Sequence, residues 1–138
     1  TVRLKKSSEF KLIGTSPKGK NFVVDSTGSL IYQPKDLLKK LKQAFLIVHL
    51  EVTEAMIPKM IRKFFAHPKP VIWHGMFSRE PGESPEVALR RCYPEWLRSR
   101  LQGYHDLADL SLAADRILDP KMTTDRFLEM IRANLGSH

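Results

Sequence analysis

Gly14-Thr15-Ser16-Pro17-Lys18-Gly19-Lys20 spells G-x-x-x-x-G-K, a string in which backbone amides and a lysine can hold nucleotide phosphates. That chemistry also requires Ser or Thr after the lysine, for magnesium, and a helix whose N-terminus faces the phosphates. Asn21 follows instead, and Phe22-Val23-Val24 behind it favours a strand. The segment therefore reads as a flexible turn entering a strand, not as a nucleotide site. His49, His67, His74, His105 and His138 are scattered, with no pair four apart beside a third ligand, so no zinc spacing results. Cys92 is the single cysteine and no G-x-S-x-G elbow surrounds a serine. Cys92 reads as a small buried or half-buried thiol.

Asp25 stands at the end of an apolar run, where carboxylates of α/β proteins point into the ligand crevice. It is placed to hold magnesium through water or to accept a substrate hydroxyl proton. Equally, it can serve a turn by bonding nearby amides with Ser26 and Thr27.

The elements that would position these groups follow from periodicity. Residues 1–21 form a polar, basic opening segment with one short strand expected at Phe10–Ile13. Phe22-Val23-Val24 reads as a strand ending in the turn Asp25–Ser29, and Leu30-Ile31-Tyr32 as its extension. Leu37, Leu38 and Leu41 recur at helical spacing across Pro34–Gln43, with lysines opposite. Phe45–Val52 is apolar almost throughout, as a parallel strand covered on both faces should be. Thr53 is expected to cap a helix over Glu54–Ala66, with Pro58 kinking it or delaying its start. Residues 67–86 hold Pro68, Pro70, Pro81, Gly82 and Pro85 and read as a long irregular, lid-like stretch. A helix over Glu86–Asp109, broken near Tyr93-Pro94, a strand at Leu110–Leu112 and a helix opened by Thr123/Thr124 complete the order. Alternation of this kind predicts an α/β fold with a parallel sheet and flanking helices, in one domain spanning 1–138 or the C-terminal part of one.

Arg100, Tyr104 and Ala108-Asp109 reproduce an R-x-x-x-Y-x-x-x-A-D spacing that leads into the last strand. With the strand, helix and lid-like stretch before it, this order resembles the shikimate kinase family of P-loop kinases across about Phe22 to Leu135. Val24–Ser29 occupies the place of that family's glycine-rich substrate turn, although only Gly28 matches its glycines. The family's lid carries an Arg-Pro pair, where this chain has Lys69-Pro70 and, further on, Arg79. The resemblance implies a kinase-like phosphotransferase of a small anionic metabolite, with ATP and Mg2+ as cofactors. It assigns Asp25 and Arg79 to catalysis. Thr27, Gly28, Ser29 and Arg100 would take the substrate, with Arg100 on its acidic group, while Lys69 and Arg79 would reach the nucleotide phosphates. Each has a plainer reading: an ion pair of Arg100 with Asp106 or Glu95, and solvated charges at Lys69 and Arg79. Tyr104, Ala108 and Leu112 are expected to pin the post-lid helix to the sheet, and Trp73 and Trp96 to pack. The family's phosphate loop would precede Thr1, so the chain is expected to be a C-terminal portion, inactive alone.

The charge balance supports a second reading. With 23 Lys and Arg against 15 Asp and Glu, a formal +8, the chain attracts polyanions in general. A non-catalytic binding or regulatory domain would use the clusters Arg3-Lys5-Lys6, Lys35/Lys39/Lys40/Lys42, Lys59/Arg62/Lys63 and Arg90/Arg91/Arg98/Arg100 for anionic partners, nucleic acid included, without any RNA-binding or helix-turn-helix motif. No apolar run reaches membrane-spanning length, and the lone cysteine suits a reducing compartment, so a cytoplasmic protein with no membrane partner is expected.

Overall fold

Two short runs far apart in the chain pair with each other. In the computed structural model, which describes residues 23–136, Val48–Glu51 (β1) and Leu110–Ala113 (β2) pair in parallel, Val48 opposite Leu110 and Glu51 opposite Ala113. Parallel neighbours need a long crossover. Here it comprises a 3-10 turn at Glu54–Met56, α2 (Ile57–Ala66), an irregular stretch and α3 (Pro85–Leu107). Ahead of β1 lie a 3-10 turn at Leu30–Tyr32 and α1 (Lys35–Ala44); after β2 come α4 (Ala114–Ile117) and α5 (Thr124–Leu135). The protein is thus mixed α/β, with a two-stranded parallel sheet and flanking helices. Among the described residues no helix is long and apolar enough to cross a membrane.

Several boundaries depart from the sequence expectations. Val23-Val24 forms no strand, and Val23 is 88% exposed, because no neighbouring strand among the described residues offers it a ladder. Leu30–Tyr32 curls into a 3-10 turn, its amides bonded to Thr27 O and Ser29 O at 3.1 Å, instead of prolonging a strand. The apolar run from Phe45 pairs only over Val48–Glu51, since a strand is no longer than its partner. Thr53 lends its carbonyl, not its hydroxyl, to the turn before α2, and Pro58 falls in that helix's first turn, where a missing N–H costs little. The expected strand at Phe10–Ile13 and the Gly14–Lys20 string lie outside the described residues.

Helix α3 runs unbroken through Pro94 for 23 residues, about 34 Å at helical rise. Ser84 caps it by accepting the Val87 N–H at 3.3 Å. Pro94 denies the Arg90 carbonyl its helical donor. The helix survives because Tyr93, Trp96 and Leu97, on both sides of the proline, are buried in the core with Ile57. Around them pack Phe64 and Phe65 of α2 and Val71, Trp73 and Met76 of the irregular stretch. Phe64 stacks on Tyr93 at 3.7 Å between ring centroids, and the Trp96 indole N–H donates to Ile72 O at 2.9 Å. Both tryptophans pack, as expected of them. Trp96 also ties residues 71–77 to α3.

Asp109 joins the two strands to the helices. Its carboxylate accepts the Ile47 N–H at 2.9 Å and pairs with Lys42 of α1 at 3.2 Å, while Lys42 also donates to Leu107 O at 3.0 Å. The start of β1, the end of α3 and α1 therefore meet at one side chain.

Candidate functional site

Gly28, ahead of α1, meets Tyr104 and Arg100, which lie more than seventy positions later in the chain. Tyr104 donates its hydroxyl to Gly28 O at 2.6 Å and accepts from Arg100 Nε at 2.5 Å. Arg100 and Tyr104 are four apart on α3, so both face the turn. Gly28 has to be glycine for this approach: a Cβ there would fall 2.3 Å from Arg100 Nη2 and 2.4 Å from the Tyr104 hydroxyl. The next contact is similar, since Gly103 brings α3 close enough for Ile31 Cδ1 to lie 2.9 Å from where its Cβ would stand.

The Arg100 guanidinium sits among three aromatic rings, with its carbon 5.0 Å from Trp96, 5.7 Å from Tyr104 and 5.8 Å from Tyr32. Such rings hold a cation by their negative faces and fix its plane. Tyr32 is also stacked by His74 at 4.5 Å, and His74 has a left-handed backbone, φ 50°. Arg100 is half-buried and forms no ion pair with any described carboxylate. Asp106, one of its sequence-expected partners, instead accepts from Gln102 at 2.7 Å. The arrangement leaves an oriented guanidinium whose terminal nitrogens have no described counter-ion.

The remaining sequence candidates are distributed differently. Thr27 and Ser29 flank Gly28, and their hydroxyls bond one another at 3.0 Å. Asp25 is exposed and bonds no described residue, and the same holds for Lys69. Arg79 turns onto its own loop, donating to Glu83 O at 2.7 Å and 3.2 Å. Glu83 in turn takes the Glu80 N–H at 2.9 Å and both Arg91 donors, at 2.8 and 3.0 Å. Those Arg91 bonds, then the Glu80 amide, hold the Glu83 carboxyl down at about 2. Arg91 also donates to Ser78 O at 3.0 Å, and the buried Cys92 lies 3.6 Å from the same carbonyl. The structure thus gathers Gly28 with Arg100, and keeps Arg79 in a separate network at the start of α3.

A second constellation escaped the sequence. His49 and Glu51 alternate along β1 and so share one face, where His105 of α3 meets them. His105 Nδ1 lies 3.1 Å from Glu51 Oε1, and Ser111 Oγ 3.5 Å from His49 Nδ1. These side chains line a cleft of about 410 Å3 with Glu54, Arg98 and Gln102. Burial lowers the His49 pKa, a nearby Glu51 charge opposes that and His105 adds to it, so His49 favours the neutral imidazole. Spacing alone could not have found this group, because His105 is 54 residues from Glu51 in the chain. The one available signal was the His-x-Glu alternation in an expected strand.

Comparison with protein-family models, curated proteins and solved structures finds no match for the chain. The class it defines by its own structure is therefore the mixed α/β one, with β1 and β2 as its parallel pair.

Proposed function

We propose that the chain is the acceptor-binding portion of a small-molecule phosphotransferase of the shikimate kinase kind, with Arg100 receiving the acidic group of the acceptor. The meeting of Gly28, Tyr104 and Arg100 carries this reading. The resemblance assigned Gly28 and Arg100 to one substrate from two distant motifs, and their adjacency is what a shared ligand needs. The order β1, α2, irregular stretch, α3, β2 also follows the strand, helix, lid, helix and last strand that the resemblance implies. A guanidinium suits a carboxylate because its planar fork donates twice, and the three surrounding rings limit its rotation. His74, brought in by the irregular stretch, would carry any ligand-linked movement of residues 71–77 to Tyr32 and so to Arg100.

The described residues do not fit ATP and Mg2+. Asp25 stands exposed without a companion carboxylate, and Arg79 is turned onto Glu83 O. No step of phosphoryl transfer is assigned to them. The part of Gly28, Tyr104 and Arg100 is binding and orientation of the acceptor.

Calorimetric titration with hydroxylated monocarboxylic acids, each beside its neutral amide, tests the proposal. The acid is expected to bind and the amide to bind far more weakly. Arg100→Met should weaken acid binding by about 10- to 100-fold, the loss of a charged hydrogen-bonded pair worth about 1.5–3 kcal/mol. Equal binding of acid and amide, or no binding of any acid, would overturn it. Phosphoryl transfer from ATP to the bound acid, followed by phosphorus NMR on the complete gene product, tests the transferase half. An acid bound but never phosphorylated would leave a non-catalytic binding domain instead.

A further inference from the structure

We infer that His49, Glu51 and His105 form a binding site for a borderline divalent metal ion, Zn2+ being the best suited, at the carboxyl end of β1. One ligand atom from each residue lies within 4.8 Å of those of the other two. A tetrahedral zinc with bonds of about 2.0–2.1 Å places its donors about 3.4 Å apart, so the set closes onto an ion by small side-chain rotations. Two of the three can make them: the side chains of His105 and Glu51 are 55% and 45% exposed. His49 is the fixed member, half-buried on the strand, with Ser111 Oγ 3.5 Å from its Nδ1. An oxygen at one ring nitrogen is what orients a ligating imidazole to offer the other.

The donor chemistry selects the ion. Two imidazoles and one carboxylate match the His2Glu set of zinc sites that keep a fourth position open. Imidazole nitrogen disfavours magnesium and calcium, which take oxygen ligands. The open position faces the cleft lined by Glu54, Arg98 and Gln102. Glu51 ends its strand, and the carboxyl ends of parallel strands are where α/β proteins take ligands. The site is separate from the Arg100 reading and stands or falls without it. Arg98 at the rim adds the class of exogenous ligand, an anion bound to the metal on that open position.

Titration of the tag-free chain with Zn2+ by calorimetry, and with Co2+ followed by its visible absorption, tests the site. One equivalent is expected, with tetrahedral cobalt bands. His49→Ala and His105→Ala should each lower the affinity at least about tenfold, since even partners one shell further out cost that much. His67→Ala, at an exposed position, should leave it unchanged. Because His49 is partly buried, the unsubstituted chain supplies a second readout: nitrogen-15 imidazole resonances of His49 and His105 should shift on Zn2+ addition while those of His67 and His74 stay. No zinc binding, binding that survives both alanine variants, or shifts confined to other histidines would overturn the inference and leave His105 and Glu51 as an ordinary ion pair.

Discussion

Tyr104→Phe removes a single oxygen atom, and with it the bond that joins the Gly28 turn to α3 and the bond that holds Arg100 to Tyr104 within α3. The hydroxyl donates to Gly28 O at 2.6 Å, across 76 residues of chain, and accepts from the charged Arg100 Nε, four residues away on the same helix, at 2.5 Å. A neutral bond contributes about 1 kcal/mol and one to a charged group about 1.5–3 kcal/mol. Tyr104 is only half-buried, so water can replace part of this, and about 2 kcal/mol is expected. For a chain of 138 residues an unfolding entropy of about 0.3 kcal/mol per degree makes that a fall of about 7 °C in Tm. Calorimetric melting reads the fall. A double-mutant cycle with Arg100→Met then isolates the pair, with a coupling of about 1 kcal/mol expected, above the few tenths typical of independent sites. Amide exchange should quicken at Leu30, Tyr32 and Gln33, whose N–H groups close the turn, and stay unchanged in β1. A melting shift below about 1 °C together with unchanged exchange at Leu30, Tyr32 and Gln33 would show that the hydroxyl does not bridge the two segments, and the reasoning from their juxtaposition would fail.

Two other outcomes follow from the bonding on the page. Asp109→Ala should cost about 1.5–3 kcal/mol in urea unfolding, because it strips the Ile47 amide of a charged acceptor, whereas Lys42→Met should cost less than about 1 kcal/mol as a partly exposed ion pair; equal losses would refute the primacy of the amide bond. Glu83 titrates at about 2 in the folded chain, below the ordinary carboxyl value of about 4.3, so its contribution is complete above about pH 4.3 and is lost as pH falls through about 2. Carbon-13 NMR of its carboxyl should show that depressed midpoint, and in Glu83→Gln the acid-side loss of stability attributable to this group should vanish; a midpoint near 4.3 would mean that Arg91 does not hold it.

Local patterns made much of the element order legible. The apolar run around Val48, the lysine-backed leucines of α1, the Thr123 cap of α5 and the strand at Leu110–Leu112 all lie where periodicity and capping put them. Pro94 was read as a break because a proline removes a helical hydrogen bond. That rule weighs only the backbone. Burial of Tyr93, Trp96 and Leu97 on both sides holds α3 continuous, a gain that no local rule contains. Val23-Val24 failed in the opposite sense, its residues suiting a strand with no described neighbour to pair with.

The candidate sites divide the same way. The four-residue spacing from Arg100 to Tyr104 was visible in the chain, because a helix converts that spacing into adjacency whatever surrounds it. That Gly28 and Arg100 would serve one substrate came only from the resemblance, whereas the bond of Tyr104 to Gly28 O and the three rings around Arg100 were not visible at all. His49, Glu51 and His105 gave no local zinc spacing, since the parallel crossover between β1 and β2, not the spacing, closes the distance. Sequence by itself determined the charge, the amphipathic faces and the residues four apart on α3, all of which depend on contacts within a few turns. Tertiary structure decided that the Gly28 turn meets Tyr104 and Arg100 and which histidines meet, because those follow from packing α3 against β1 and the Gly28 turn, and burial energy is blind to separation along the chain.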